Sequence, residues 1–231
     1  MIRALIFDFN GVLADDDPIH MEAFRKVANE EGLSFSDEEY LDKYLPLNDR
    51  DCFNLLFQQS GITLPVAELD DLIRRKGAYY LQAIQNKTVL FKTAAAAVRA
   101  AAGRYPIAIA SGARKEEICH ILTQSRLQDC FTAIISADDV QFGKPHPEPF
   151  LRAHEKLKER DSSLKVSECV AVEDSIGGIE SAHQAGMRCL AVAHSYEADR
   201  LRRANPQWVI DSIADFVPWL EKEVQSECSF P

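Results

Sequence analysis

Asp8 opens a polar turn, Asp8-Phe9-Asn10-Gly11, directly after the apolar run Ala4 to Phe7. Three other polar clusters stand in the same relation to an apolar run. Ser111-Gly112-Ala113 follows Pro106 to Ala110, and Glu173-Asp174-Ser175 follows Cys169 to Val172. Across a short loop, Gly143-Lys144-Pro145-His146-Pro147 follows Ala133 to Ile135. Asp8, Glu173 and Asp174 are carboxylates. Gathered in one small space they repel one another and need a cation. A hard, all-oxygen donor set selects Mg²⁺. A carboxylate can also attack phosphorus and form an acyl-phosphate. Ser111 and the N–H groups after it lead into a helical pattern, and a helix start presents unpaired donors to an anion. Lys144 supplies a point charge that balances the nucleophile and the phosphoryl oxygens. Singly, each cluster has an ordinary reading as a cap, a turn or a solvated loop. In order, and each after an apolar run, they read as one phosphoryl-transfer site.

That reading requires strands that end side by side. The four runs, with Cys189 to Ala193 and Trp208 to Ile210, are continuously apolar, as suits strands buried on both faces. From Tyr105 onward, helical patterns such as Lys115 to Leu127 and Glu148 to Leu157 alternate with them; Ala94 to Ala102 reads as a close-packed helix just before. The alternation predicts an α/β fold, a doubly wound parallel sheet with helices on both sides. Ligands bind such sheets outside the carboxyl ends of the strands. The stretch between Phe7 and Pro106 breaks the rhythm, being far longer than the dozen or so residues a crossover needs. It carries helical patterns of its own over Pro18 to Glu31, Asp51 to Gln59 and Val66 to Ile84, punctuated by Gly32, Pro46, Gly61 and Pro65. The prediction is an all-helical cap domain, residues 16–87, inserted into a core domain of residues 1–15 and 88–231. Its hinges fall near Ala14 to Asp17 and near Lys87 to Phe91.

Composition sets the bounds. The chain has 231 residues, 46% of them hydrophobic, enough for a sizeable core plus a smaller insert. A formal net charge of −10 disfavours a nucleic-acid partner, and a small anionic substrate would need positive charge supplied locally. No segment reaches membrane-spanning length, so no membrane partner is expected. The six cysteines form no CxxC pair and read as reduced packing residues of a cytoplasmic protein. The acidic balance suits a monomer.

The four clusters resemble the four motifs of the haloacid dehalogenase-like superfamily of phosphotransferases. Asp8-Phe9-Asn10-Gly11-Val12-Leu13 looks like motif one, Ser111 motif two, Lys144 motif three and Glu173-Asp174 motif four. The phrases Gly143 to Phe150 and Val172 to Ile179 resemble the β-phosphoglucomutase and phosphoglycolate-phosphatase branch. The helical insert matches that branch's mobile cap. The resemblance implies a Rossmann-like core and roles by position. Asp8 would carry a phospho-aspartyl intermediate. Mg²⁺ would be held by Asp8, the backbone carbonyl of Asn10 and Asp174, with Glu173 supporting the metal shell. Ser111, Gly112 and Lys144 would grip the phosphoryl group. His20, Arg50 and Lys76 fall where relatives keep substrate-facing groups. The substrate would be a small phosphorylated metabolite, a sugar phosphate foremost.

Position 10 departs from the pattern. The family's phosphatases and mutases have an aspartate there, which protonates the leaving oxygen and then activates water or the acceptor hydroxyl. Asn10 can do neither. Loss of general acid–base catalysis typically costs about 10²–10⁴-fold in rate, so slow turnover is expected. A substrate hydroxyl or His20 could move the proton instead. A phosphomutase remains open if Arg50 and Lys76 provide a second phosphate site, and so does a catalytically silent phospholigand-binding protein. A Schiff-base role for Lys76 fits less well than an ordinary or phosphate-binding lysine.

Overall fold

The computed structural model describes residues 1–45 and 47–228, with side chains as far as residue 225, so the expectations placed on Pro46 and on the Cys228 thiol lie outside the described residues. Six strands form one parallel sheet in the order β3-β2-β1-β4-β5-β6. They are β1 (Ala4–Phe7), β2 (Ile107–Ala110), β3 (Ala133–Ile135), β4 (Cys169–Glu173), β5 (Arg188–Val192) and β6 (Trp208–Ile210). The chain builds outward from β1 to β3 on one side, then returns to place β4 against β1 and build outward again. The order therefore reverses between β1 and β4, where Leu5 pairs with Val170 and Phe7 with Val172. In an open parallel sheet that switch point leaves a crevice at the strands' carboxyl ends.

Side-chain alternation along each strand fills two layers. Leu5 and Phe7 enter one core with Ile109, Val98 and Phe216. Ala4 and Ile6 enter the other with Ala108, Ala171, Phe150 and Ile179. The layers are covered by α5 (Ala94–Ala102) and α6 (Lys115–Gln124), by α7 (Glu148–Lys158) and α8 (Ile176–Gln184), and by the later helices α9 (Ala198–Arg203) and α10 (Phe216–Cys228). The expectation of burial on both faces holds for the four central strands. It fails for β3 and β6, whose residues are mostly half-buried. Both are edge strands, so apolarity there covers one flank only.

Between β1 and β2 the chain forms α1 (Asp17–Glu30), α2 (Asp37–Glu39), α3 (Asp49–Gln59) and α4 (Val66–Ile84). Phe24, Val27, Phe53, Leu56, Leu69 and Leu72 give these helices an apolar cluster of their own. α3 starts two residues earlier than its pattern suggests, because Asn48 Oδ1 accepts the Asp51 N–H at 3.0 Å and caps it. The π-turn Tyr40–Tyr44 had no sequence signal; it turns Tyr40 and Tyr44 into the same cluster. The two chain crossings into this helical stretch run side by side. The Asp15 N–H donates to the Val89 carbonyl at 2.7 Å, and the Phe91 N–H to the Leu13 carbonyl at 3.0 Å.

Among the described residues no helix is long and apolar enough to cross a membrane. Cys52, Cys169 and Cys189 are buried free thiols, while Cys119 and Cys130 are half-buried ones.

Candidate active site

The switch point puts the ends of β1 and β4 together. The Asp8 N–H donates to the Val172 carbonyl at 2.9 Å, which brings Asp8 beside Glu173 and Asp174. One oxygen from each of the three carboxylates lies within 4.8 Å of the others. Lys144, from the loop after β3, reaches in to place Nζ 2.5 Å from Glu173 Oε1 and 2.8 Å from Asp8 Oδ1. Its contact with Glu173 is a directed hydrogen bond, whereas its approach to Asp8 is off-axis and chiefly a matter of charge. Glu173 is fully committed. Its Oε2 accepts the N–H groups of Asp174 and Ser175 at 2.9 Å and the Ser175 hydroxyl at 3.0 Å. It can support a metal shell more readily than join it. Asp174 Oδ2 accepts a hydrogen bond from the Ser195 hydroxyl.

Two glycines make room. Gly11 sits at φ +72°, and a Cβ there would lie 2.0 Å from Asp174 Oδ2. Gly178, in the first turn of α8, would place a Cβ 1.8 Å from the Glu173 carboxyl. The carboxylate cluster is therefore seated on backbone that has no side chain.

The donor set fits a hard divalent cation. Burial lifts the Asp8 carboxyl to about 6, against the pull of Lys144 and with the push of Glu173. Burial, Glu173 and Asp8 push Asp174 well above the usual carboxylate range. Lys144 stays charged: burial opposes this, but Asp8 and Glu173 outweigh it. One ammonium does not balance three carboxylates, and a bound cation would relieve what remains.

Ser111 is buried at the end of β2. Its hydroxyl accepts the Ala113 N–H at 3.1 Å and lies 3.5 Å from Asn10 Oδ1. Asn10 reaches the other way as well. Its Nδ2 donates to both oxygens of Asp16, at 2.9 and 3.0 Å. Tyr80, on α4, also donates to Asp16. Burial would raise the Asp16 carboxyl, but His20, Tyr80 and Asn10 hold it below its ordinary value. His20 stacks on Tyr80 with ring centroids 4.0 Å apart. Its Nδ1 lies 2.5 Å from Lys76 Nζ and accepts from that ammonium. Its Nε2 lies 3.5 Å from Asp16 Oδ2 and 3.0 Å from Asn10 Nδ2.

A cavity of about 450 Å³ joins the carboxylate cluster to the helical insert. Asp8, Asn10, Ser111, Gly112, Lys144 and Asp174 line it from the strand ends and their loops, and His20, Arg50 and Lys76 from the helical insert. Glu173 lies behind the wall. Arg50 is at the margin, its guanidinium held by Asp70 at 2.7 Å. Lys76 is buried and ion-paired to Asp49 at 2.8 Å.

Sequence reasoning missed several participants. Ser195 stands three residues beyond the end of β5, so an extended strand-end argument could have found it. His194 carried no signal, yet its Nδ1 donates to the Gly11 carbonyl at 2.7 Å while Nε2 accepts the Ile213 N–H at 3.2 Å. It pins the turn that follows Asp8. Asp16 was hidden in the run Asp15-Asp16-Asp17, where nothing marked which carboxylate turns inward. Asp49 and Glu117 read as ordinary first-turn acids of helices.

Residues 5–192 match the family model of haloacid dehalogenase-like hydrolases. The chain is 28% identical to the fructose-1-phosphate phosphatase YqaB of Escherichia coli, over 81% of this chain and 95% of that one. It is 25% identical to a phosphoglycolate phosphatase of Pectobacterium atrosepticum, over 94% of this chain and 92% of that one. Its fold superposes on a mutant of CbbY from Rhodobacter sphaeroides, solved in complex with xylulose-(1,5)bisphosphate, with a TM-score of 0.79, 24% identity, and coverage of 93% of this chain and 96% of that one.

Proposed function

The chain belongs to the haloacid dehalogenase-like hydrolases, and we propose that it is a Mg²⁺-dependent phosphatase of a small phosphorylated metabolite, a sugar phosphate foremost. The observation that carries this is the meeting of Asp8, Asp174 and Lys144 beside Ser111 at the carboxyl ends of the central strands, facing a cavity. The names of the relatives point the same way, to phosphorylated sugars and short phosphorylated acids.

In this reading Ser111, the N–H of Gly112 and Lys144 seat the phosphoryl group against Asp8. An Asp8 oxygen attacks phosphorus, the bond to the sugar oxygen breaks, that oxygen takes a proton from solvent water, and a phospho-aspartyl intermediate forms. Water then attacks the same phosphorus and frees Asp8 with inorganic phosphate. Lys144 keeps Asp8 ionised and balances the phosphoryl charge. Asp8, the Asn10 carbonyl and Asp174 would hold Mg²⁺, with Glu173 fixing Lys144 and the β4 turn. Bound there, the ion would neutralise phosphoryl oxygens and the crowded carboxylates. Asn10 cannot protonate the leaving oxygen, so turnover is slow. Residues 16–87 act as a cap that excludes water and selects the substrate. We place the protein in the cytoplasm, as a monomer, with its thiols reduced.

The test is phosphate release from a panel of sugar phosphates and phosphoglycolate, with Mg²⁺ or with chelator. Release should require Mg²⁺ and should vanish in Asp8→Asn. Activity that survives Asp8→Asn overturns the nucleophile assignment. A second reading, a protein that binds phospholigands without turnover, rests on Asn10 alone. It takes over if Mg²⁺-dependent binding is measured and no phosphate is released.

A further inference from the structure

Asn48 belongs to the helical insert, yet it lies against two loops of the core. A Cβ on Gly112, the residue after Ser111, would be 3.7 Å from Asn48 Cβ, an ordinary contact. A Cβ on Gly143, the residue before Lys144, would lie 2.6 Å from Asn48 Nδ2, closer than any side chain would allow. Neither glycine has a positive φ, so the backbone makes no demand for glycine at these positions. At Gly143 the demand comes from Asn48.

Asn48 is not free to swing aside. Its Oδ1 accepts the Asp51 N–H at 3.0 Å, and its Nδ2 donates to Asp51 Oδ2 at 2.8 Å. Both ends of the amide are thus held in the first turn of α3, and moving the side chain would uncap that helix. The insert also meets the core through α1 and α4, which adjoin the two chain crossings. There Tyr80 donates to Asp16, and Gln124 Nε2 donates to the Gln85 carbonyl at 2.9 Å. α3 adjoins neither crossing, and Asn48 brings its N-terminus onto the core.

We propose that Asn48 sets how far the insert descends on the core, by filling a slot that Gly112 and Gly143 leave open, and is thereby a positioning residue for the loops of Ser111 and Lys144. Its effect on turnover rests on the phosphatase reading of the site, whereas the seating itself does not. A methyl at position 143 needs the separation of about 3.5 Å of an ordinary contact, against the 2.6 Å present. The insert or the loop must then move by about 1 Å, a misplacement that can cost about 10²-fold in rate when it reaches the reacting groups.

The experiment is a size exchange across this contact, read in two ways. One is kcat/KM for phosphate release from fructose 1-phosphate in Mg²⁺. The other is hydrogen exchange of the amides in residues 47–59 and 140–147, which follows the seating without turnover. Gly143→Ala should lower kcat/KM by roughly tenfold or more and raise exchange in both segments. Asn48→Ser keeps a helix cap but removes Nδ2. Added to Gly143→Ala, it should return both readings most of the way to those of the parent, because the methyl then takes the space that Nδ2 leaves. A residue that merely caps its helix would give no such rescue. Parental exchange and turnover in Gly143→Ala overturn the inference, since Asn48 would then yield freely. Losses that Asn48→Ser does not relieve also overturn it, since the loop alone would be at fault. Melting curves establish folding: if Gly143→Ala does not fold, a folded double variant supports the inference and an unfolded one overturns it. If the parent releases no phosphate from any ester, the phosphatase reading falls, and the exchange measurement alone decides the seating.

Discussion

Asn10 is tied into the site by its amide, and this bears directly on any attempt to restore the aspartate its relatives use. Nδ2 donates to both oxygens of buried Asp16. Asn10→Asp replaces that donor with a second carboxylate, and two carboxylates at such a distance cannot both ionise. The single variant should therefore fall short of the gain expected from general acid–base catalysis. Asn10→Asp with Asp16→Asn exchanges donor and acceptor across the same contact. That double variant should recover about 10²-fold or more in kcat for phosphate release. A single variant as fast as the double would show that Asp16 does not constrain position 10. His194 gives a second residue-scale expectation. Burial holds its imidazole below the ordinary histidine value, although the Gly11 carbonyl opposes this. The unfolded chain thus takes up a proton before the folded one does. The stability this histidine contributes is complete above about pH 6.5 and is lost as pH falls through the folded value. Melting temperature followed from pH 8 to pH 5 should drop on the acid side, and His194→Gln should flatten part of that drop.

Among the elements, α8 shows how closely the helices seat the carboxylates. Gly177 and Gly178 are adjacent in its first turn but differ in surroundings. A Cβ on Gly177 meets nothing within 4 Å, while one on Gly178 overlaps the Glu173 carboxyl. Gly177→Ala should be neutral or raise stability by up to about 0.5–1 kcal/mol, through helix propensity. Gly178→Ala should cost on the order of 1–3 kcal/mol, because Glu173 must leave Lys144 and the Ser175 turn. Chemical denaturation of the pair reads the contrast directly, and equal effects would mean that Glu173 can move aside freely. The strands teach a related lesson. Six apolar runs located all six strands, because a run buried in a sheet must lack charge. The same runs could not say which strands lie at the edges, so β3 and β6 proved half-buried. The π-turn Tyr40–Tyr44 left no trace, since its aromatics pack on helices whose positions are fixed elsewhere in the chain.

On the scale of the molecule, an acidic protein concentrates its carboxylates at the mouth of its own sheet, and folding must hold them there. Burial first, and repulsion from neighbouring carboxylates second, raises Asp8 and Asp174. A cation that binds only the folded chain adds stability by mass action, about 2.7 kcal/mol at a hundred times its Kd. Added Mg²⁺ should therefore raise the melting temperature, and chelator should lower it. Asp174→Asn should abolish that response while making the metal-free protein more stable, because one buried charge is gone. A metal-free variant less stable than the parent would show that Asp174 serves folding rather than metal binding.

Sequence alone determined the parallel sheet, the helical insertion after β1, the positions of Asp8, Ser111 and Glu173-Asp174 at strand ends, and that of Lys144 in the loop after β3. These are local consequences of apolar runs and of the polar residues that succeed them in the chain. The rule for open sheets then brings strand ends together without reference to side-chain contacts. Only the tertiary structure decided that Asp16 takes the Asn10 amide, that Lys76 is already paired with Asp49, and that Glu117 is left with an unused oxygen. Those facts depend on residues from α1, α3, α4 and α6 meeting in one cavity. The same acidic side chain reads identically in the sequence whether it caps a helix in water or is buried against a ligand. Its meaning is set by desolvation and by partners far away in the chain.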